Sequence, residues 1–242
     1  FYTLSLHDAL PIFVLGALYA LMASGLSLIW TALGVFNYSH GPLMAFGAVV
    51  TWTIIERLGF SLLPAAIIGI VAAALIGAIV ERFLVRSFYG NRDLLLLSCM
   101  TTLTSMIIIE KGIQIIWGSR LKLLPRIIEG EINVFGAVIS AHEGLIIIIS
   151  PLILLFLWRF MASTQTGRSM RAVGQNQEMA HLIGINVPKT YLLVFTISTG
   201  LAGLSGVLLG GIRFVLPTMG AEPLLKAMTV IIFGGLGSLG AT

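Results

Sequence analysis

IFVLGALYALMASGLSLIWTAL, running from Ile12 to Leu33, contains no charged residue in twenty-two positions. At about 1.5 Å of rise per residue a helix of this length extends ~33 Å, enough to cross the ~30 Å hydrocarbon core of a bilayer. Further apolar runs follow it. Leu62–Val80, Leu94–Ile109, Leu145–Trp158, Tyr191–Ile212 and Leu224–Leu239 read as crossing segments. Leu43–Ile55 is too short to span alone, so it either includes the polar residues before it or forms a half-helix. The pattern predicts an all-α, polytopic transmembrane bundle of about seven crossing segments in one membrane domain.

Composition supports this reading. Apolar residues make up 57% of the 242, charged residues 10%, and the mean hydropathy is +1.03. Soluble domains carry about 25% charged residues, and a chain of this size in water would lack the charge to cover its surface. The formal net charge is +4, but the basic residues are scattered singly, without the cluster that nucleic acid requires. Membrane lipid is the partner that fits, through attraction of loop Lys and Arg to anionic headgroups. Cys99, the one cysteine, reads as a buried inert thiol.

Loop charges lean toward one orientation. The Arg82–Arg92 and Arg159–Lys189 loops hold seven basic residues, against six at Arg57, Lys111, Arg120, Lys122, Arg126 and Arg213. The positive-inside rule places the first two loops in the cytoplasm. Glu81 to Asp93 reads as a polar loop, and Glu110 and Lys111 close the span before them. Glu81, Glu110 and Lys226 read as snorkelling or capping residues at span edges. The region from Gly112 to Glu143 is the longest non-spanning stretch.

Two segments interrupt the apolar pattern with chemistry. Asn37-Tyr38-Ser39-His40-Gly41-Pro42 is polar and helix-breaking. Asn37 and His40 are three apart, so a helical turn would set both on one side. There, with Gly41, they would line a pathway and hold a broken helix beside it. A helix end at the headgroups accommodates the same residues. The second segment, Thr166–Lys189, predicts one short amphipathic helix. Met170, Val173, Ala180 and Ile183 share a face, while Arg171, Gln175 and Glu178 lie off it. Gly184 suits a left-handed cap, and Pro188 bars early resumption. Arg168 and Arg171 fall in the first turn, where the helix dipole disfavours cations, so an outside anion is expected to hold them. Such a helix either docks into a soluble partner or lies on the membrane surface.

Enzyme readings are weak. Gly235-Leu236-Gly237-Ser238-Leu239-Gly240 matches the dinucleotide fingerprint literally, but it follows a membrane-like run and lacks the acidic residue about 20 positions on. Helix packing explains Gly234, Gly235 and Gly237 better, as it does Gly206 and Gly210. No metal-ligating cluster or catalytic set converges in the sequence.

Three blocks together resemble a known family. They are GLSLIWTALGVFNYSHG (Gly25–Gly41), GRSMRAVGQNQEMAHLIGIN (Gly167–Asn186), and Pro217-Thr218-Met219-Gly220 through Lys226-Ala227 to GGLGSLGA (Gly234–Ala241). The chain resembles the LivH-like branch of the branched-chain amino acid ABC transporter permeases. The Asn-x-x-His-Gly form separates this branch from its sister subunit. Tyr38, Ser39 and Pro42 depart from the pattern. The resemblance implies a permease subunit beside a sister permease, two ATP-binding subunits and an extracytoplasmic solute-binding protein. It implies no cofactor on this chain, with ATP and Mg held by the partner subunits. It also makes Gly167–Asn186 the coupling segment, with Gly167, Arg168, Arg171, Ala172, Asn176, Ala180, Gly184, Ile185 and Asn186 as the residues that couple it to the ATPase. The solute would be a branched-chain amino acid, or an amide or urea in related systems. A stand-alone secondary transporter is the alternative of another class. Residues 1–12 match nothing in the family and are expected to be foreign, and residues 13–242 form a single permease domain expected to be truncated at its C-terminus.

Overall fold

The computed structural model describes residues 6–128, 130–134 and 137–234. Seven long helices account for the apolar runs: α1 (Leu6–Leu33), α2 (His40–Leu58), α3 (Leu62–Val80), α4 (Leu94–Trp117), α5 (Ala141–Ser163), α8 (Val187–Gly210) and α9 (Ala221–Gly234). Two short helices, α6 (Gln165–Gln175) and α7 (Gln177–Leu182), lie between α5 and α8. Five helices are long and apolar enough to cross a membrane, namely α1, α3 with its continuation, α4, α5 and α8. Leu236 to Gly240, and with them Gly235 and Gly237, lie outside the described residues.

Helices α1 and α8 form the centre. In their apolar windows 61% and 67% of residues are enclosed, against 17% in α4 and 22% in α5. Helix α8 packs on α1, α2 and α3, while α4 and α5 flank the bundle. Exposed Ile, Leu and Phe on α3, α4 and α5 are what a lipid-facing surface requires, since lipid tails exert no hydrophobic penalty on them.

The α2–α3–α8 contact is made by small residues. A Cβ on Gly47 would come 2.8 Å from the Gly203 Cα, and one on Gly203 would come 2.7 Å from the Ala73 Cβ. Gly206 presses against the Met44 backbone in the same way, and Gly210 against Leu124 and Val215. Between helices already in lipid, dispersion and close backbone approach drive association, which only small residues permit.

Several boundaries differ from those the hydropathy suggests. The Glu81–Asp93 stretch is not a loop throughout: α3 continues through a π-turn (Glu81–Val85) and a 3₁₀ turn (Arg86–Phe88). Glu81 is fully buried there, not snorkelling at an edge, and its Oε1 accepts a 2.6 Å hydrogen bond from the Tyr89 hydroxyl. Helix α4 runs past Glu110 and Lys111 to Trp117, where Gly118 (φ +73°) ends it. The region after it holds an antiparallel hairpin, β1 (Glu131–Val134) with β2 (Ala137–Ser140), an addition to the all-α plan.

The connection from α1 to α2 lies deep. Thr102 donates to the Phe36 carbonyl at 3.3 Å, and the His40 ring sits between Gly25 and Ser198. Gly25 is eight residues from the end of α1, Thr102 eight from the start of α4, and Ser198 eleven from the start of α8. At about 1.5 Å per residue these place the connection roughly 12–16 Å along the helices. Helix α2 therefore starts inside the bundle, with His40-Gly41-Pro42 as its first turn.

Substituting Gly47→Val should overpack this interface by about 1–3 kcal/mol, lowering the melting temperature of the detergent-solubilised protein by several degrees. Gly16→Ala, at a position with open space, should leave it within a degree or two of the parent.

Candidate functional site

The Thr164–Asn186 segment is built on the end of α5. The Thr164 hydroxyl donates to the Phe160 carbonyl at 2.8 Å and accepts from the Gly167 amide at 3.0 Å, so one side chain closes α5 and opens α6. Gly167 lies so close to Phe160 and Met161 that a Cβ would stand 2.5 Å from the Met161 carbonyl oxygen. Arg168 donates to the Ser163 carbonyl at 3.1 Å. Arg171 donates to the Met161 carbonyl, and to that of Ala162 at 3.5 Å. These are orphan carbonyls of the last turn of α5, the negative end of its dipole. Arg168 alone falls in the first turn of α6, against its dipole, while Arg171, placed there by the sequence pattern, is the seventh residue of the helix; both complement the dipole of α5. The anion expected from outside is here the preceding helix.

Met170 and Val173 bury their side chains among Leu28, Ala32, Leu157, Met161 and Phe195. Gly174 meets the Thr31–Ala32 backbone at the end of α1. The expected single helix is then interrupted. Asn176 is extended (φ −158°, ψ 108°), and its Oδ1 accepts from the Met179 amide at 3.0 Å, capping α7. An Asn that caps well competes with helix continuation. The break rotates the faces: Ala180 stays buried, but Ile183, placed by periodicity on the same face, is exposed. Gly184 takes φ +87°, as its position after the helix suggested, and Ile185 donates back to the Ala180 carbonyl at 3.0 Å. Pro188 does not delay the next helix. Asn186 caps it, accepting from the Lys189 amide at 3.0 Å, and Pro188 sits in the first turn, where its missing N–H costs nothing.

Helices α6 and α7 therefore rest on the ends of α1, α5 and α8 together. Their outward surface carries exposed Gln175, Asn176, Gln177 and Glu178, with Met179, Leu182 and Ile183 forming an exposed apolar knob. Ala172 is half-buried at the edge of this surface. A cleft of about 630 Å³ is lined by the α1 end (Trp30–Gly34), Arg171, Gly174–Gln177 and Tyr191. The Tyr89 and Tyr191 rings pack edge to face at 4.9 Å, tying the Arg82–Arg92 stretch to the same end of the bundle as α6 and α7.

The Asn37–Gly41 segment is arranged differently from a helical turn. Asn37 lies outside the helix, and its Oδ1 accepts from the Ser39 amide at 3.1 Å and the Ser39 hydroxyl at 2.6 Å. The Asn37 carbonyl accepts from the His40 amide at 3.3 Å. Asn37, Ser39 and His40 are fully buried within the chain. The Ser198 hydroxyl donates to the Gly25 carbonyl at 2.6 Å and stands 3.5 Å from the His40 Nδ1. Asn37 Nδ2 and His40 Nε2 have no hydrogen-bond partner among the described residues. Gly41 abuts the Gly220 carbonyl, at the start of α9. Among the described residues no group of acidic, His or Cys side chains could hold a metal.

Sequence reasoning missed Thr164 and Tyr191 as elements of this site. A Thr three residues before Gly167 is a capping signal that hydropathy hides; the Tyr89–Tyr191 contact joins residues with no local signature.

Comparison with known proteins places this architecture. Residues 9–242 match the family model described as branched-chain amino acid transport system / permease component. The high-affinity branched-chain amino acid transport system permease protein LivH of Escherichia coli K12 is 31% identical over 93% of this chain and 77% of its own length. BraD of Pseudomonas aeruginosa, named as a permease protein of the same kind of system, is 28% identical over the same shares. A probable LivH permease of Methanocaldococcus jannaschii is 25% identical over 90% of this chain and 70% of its own. No solved structure matches.

Replacing Arg171 by Ala should loosen the middle of α6 from the end of α5. Hydrogen exchange at the Met170–Val173 amides should accelerate about 3–10-fold, the effect of losing roughly 1 kcal/mol of charge-assisted hydrogen bonding at a partly exposed site, while amides in the middle of α8 remain unchanged.

Proposed function

The chain belongs to the family of permease components of branched-chain amino acid transport systems, and from that membership we propose how its parts divide the work of an ATP-driven importer. It is the permease subunit, a multi-pass protein of the cytoplasmic membrane, moving branched-chain amino acids or closely similar small solutes. Its partners are a sister permease, two ATP-binding subunits that carry the nucleotide and Mg, and an extracytoplasmic binding protein that delivers the solute.

The observation that carries the coupling role is the way α6 and α7 are mounted. A segment that merely lay on the membrane would turn its apolar side chains toward lipid. Here Met170, Val173 and Ala180 are spent on the bundle, and the apolar side chains left over, Met179, Leu182 and Ile183, stand exposed beside polar residues. That is the composition of a surface that fills a groove on a soluble partner. Because the segment rests on the ends of three membrane helices, a displacement of the ATPases moves those ends together. The result is alternating access in which α1, α5 and α8 tilt as a group. The deep start of α2 at Asn37–Gly41 packs on α1 and α8 through the His40 ring, so that tilt bears on it directly.

Placing an acidic residue on the lever gives the test. In the reconstituted importer, Ala172→Glu or Leu182→Glu should lower solute uptake more than 10-fold and abolish the stimulation of ATP hydrolysis by loaded binding protein. Insertion and assembly with the sister permease should persist. Unchanged uptake in both variants would show that the partner grips the chain elsewhere.

A further inference from the structure

Two charged side chains of α9, Glu222 and Lys226, lie beside the middle of α1, and Arg213 reaches them from the turn that follows α8. Glu222 accepts from Lys226 at 2.5 Å and from Arg213 at 3.4 Å, and the Lys226 Nζ also donates to the Tyr19 hydroxyl at 3.3 Å and stands 5.0 Å from its ring centroid. Tyr19 is nine residues from Leu10 and fourteen from Leu33, the bounds of the α1 span. At ~1.5 Å per residue it stands about 14 Å from one end and about 21 Å from the other. The start of α9 is fixed independently. Gly220 meets Gly41, whose neighbour His40 sits against Gly25, again well inside α1. Lys226 is thus not at a span edge.

These groups are not enclosed by their own chain. The side chains of Arg213, Glu222 and Lys226 are 46%, 55% and 48% exposed. Ionised groups at such depth face a water-filled cavity or another polar surface. They also continue a pattern: Glu222, Lys226 and Thr229, spaced by four and three residues, are all exposed along one side of α9. Beside them in sequence, Phe214 and Leu225 are exposed as well, at 54% and 66%. One carboxylate, two cations, a phenol and neighbouring aliphatic and aromatic surface form a set that matches an aliphatic α-amino acid at both of its charges.

We infer that Tyr19, Arg213, Glu222 and Lys226 form a polar subsite on the translocation pathway that takes a zwitterionic amino acid. Glu222 receives the ammonium group, and Arg213 with Lys226 receives the carboxylate. In the absence of solute the one carboxylate is shared between the two cations, which leaves the cluster a net positive charge. This assignment rests on reading the chain as an amino acid permease, and it places solute recognition away from the buried Asn37–Gly41 segment.

Aqueous access and charge can be tested separately in the complete importer reconstituted in liposomes, in a Cys99→Ser background. The Thr229→Cys variant should react with a membrane-impermeant thiosulfonate at least 10-fold faster than the Ile107→Cys variant, whose position is exposed on α4. Equal rates would put the stripe against lipid, and reaction only after the sister permease dissociates would make it a subunit seal; either result overturns the pathway assignment. With leucine as probe, Lys226→Met and Glu222→Gln should each lower uptake at limiting solute at least 10-fold, and wild-type uptake by both variants would overturn the zwitterion match. Failure of the wild-type importer to take up any zwitterion would overturn the ligand assignment along with the functional reading beneath it. Thiol accessibility decides the lining by itself.

Discussion

Water does not enter the hydrocarbon core, so every peptide group at that depth needs a partner from the protein. Most of this chain meets the condition with helices. The stretch between α1 and α2 does not, and the rest of the bundle is arranged around that exception. Gly34 closes α1 with φ +68°, donating to the Trp30 carbonyl at 2.8 Å. Thr102 supplies a donor for Phe36, and Asn37 turns its side chain back onto Ser39. The Phe36 carbonyl and the Ser39 amide are thus met by short side chains, one from α4 and one from nearby. This is what lets α2 begin within the bundle, and it is why α8 passes α2 on Gly203 and Gly206: a helix starting there needs its neighbour's backbone close.

At the other functional element, electrostatics replace burial. An isolated α6 with arginines in its first turns would be a poor helix. Docked on α5, the same arginines satisfy carbonyls that would otherwise need water. The two helix ends become one rigid corner, closed further by Thr164. A corner of this kind transmits force because its parts cannot move independently: loosening α6 exposes the orphan carbonyls of α5. Tyr191 extends the coupling to α3, since its ring meets Tyr89, which holds the buried Glu81 where α3 shifts to π geometry.

Much of this was legible in the chain itself. Long uncharged runs announced the helices, because lipid permits only a few ways of satisfying a backbone. The left-handed turn at Gly184 followed from residue type and position. What escaped were outcomes decided by partners distant in sequence or by competition between local signals. Asn176 could continue a helix or cap a new one, and capping prevailed. Pro188 could break a helix or begin one, and Asn186 just before it settled the matter by capping. Glu81 looked like a span edge because charge usually marks one; its burial depends on Tyr89, whose hydroxyl reaches back across the 3₁₀ turn. For Arg168 and Arg171 the sequence posed the right question, what holds cations at a helix start, and the answer lay one helix earlier.

The two chemically distinct regions sit on different parts of the bundle, and this separation has a mechanical consequence. The α6–α7 corner rests on the ends of α1, α5 and α8, while the charged stripe of α9 meets α1 near its middle. Helix α1 belongs to both. Tyr19, on α1, is the residue that contacts Lys226. Lys226 is shared between a carboxylate on its own helix and a phenol on α1, so the cluster joins α9 to the helix that also carries the α6–α7 corner. Helix α9 packs along α1 through Leu224, Ala227 and Ile231, and its start also meets the start of α2 where Gly220 abuts Gly41. Helix α1 is therefore the element that the proposed coupling corner and the proposed solute subsite share.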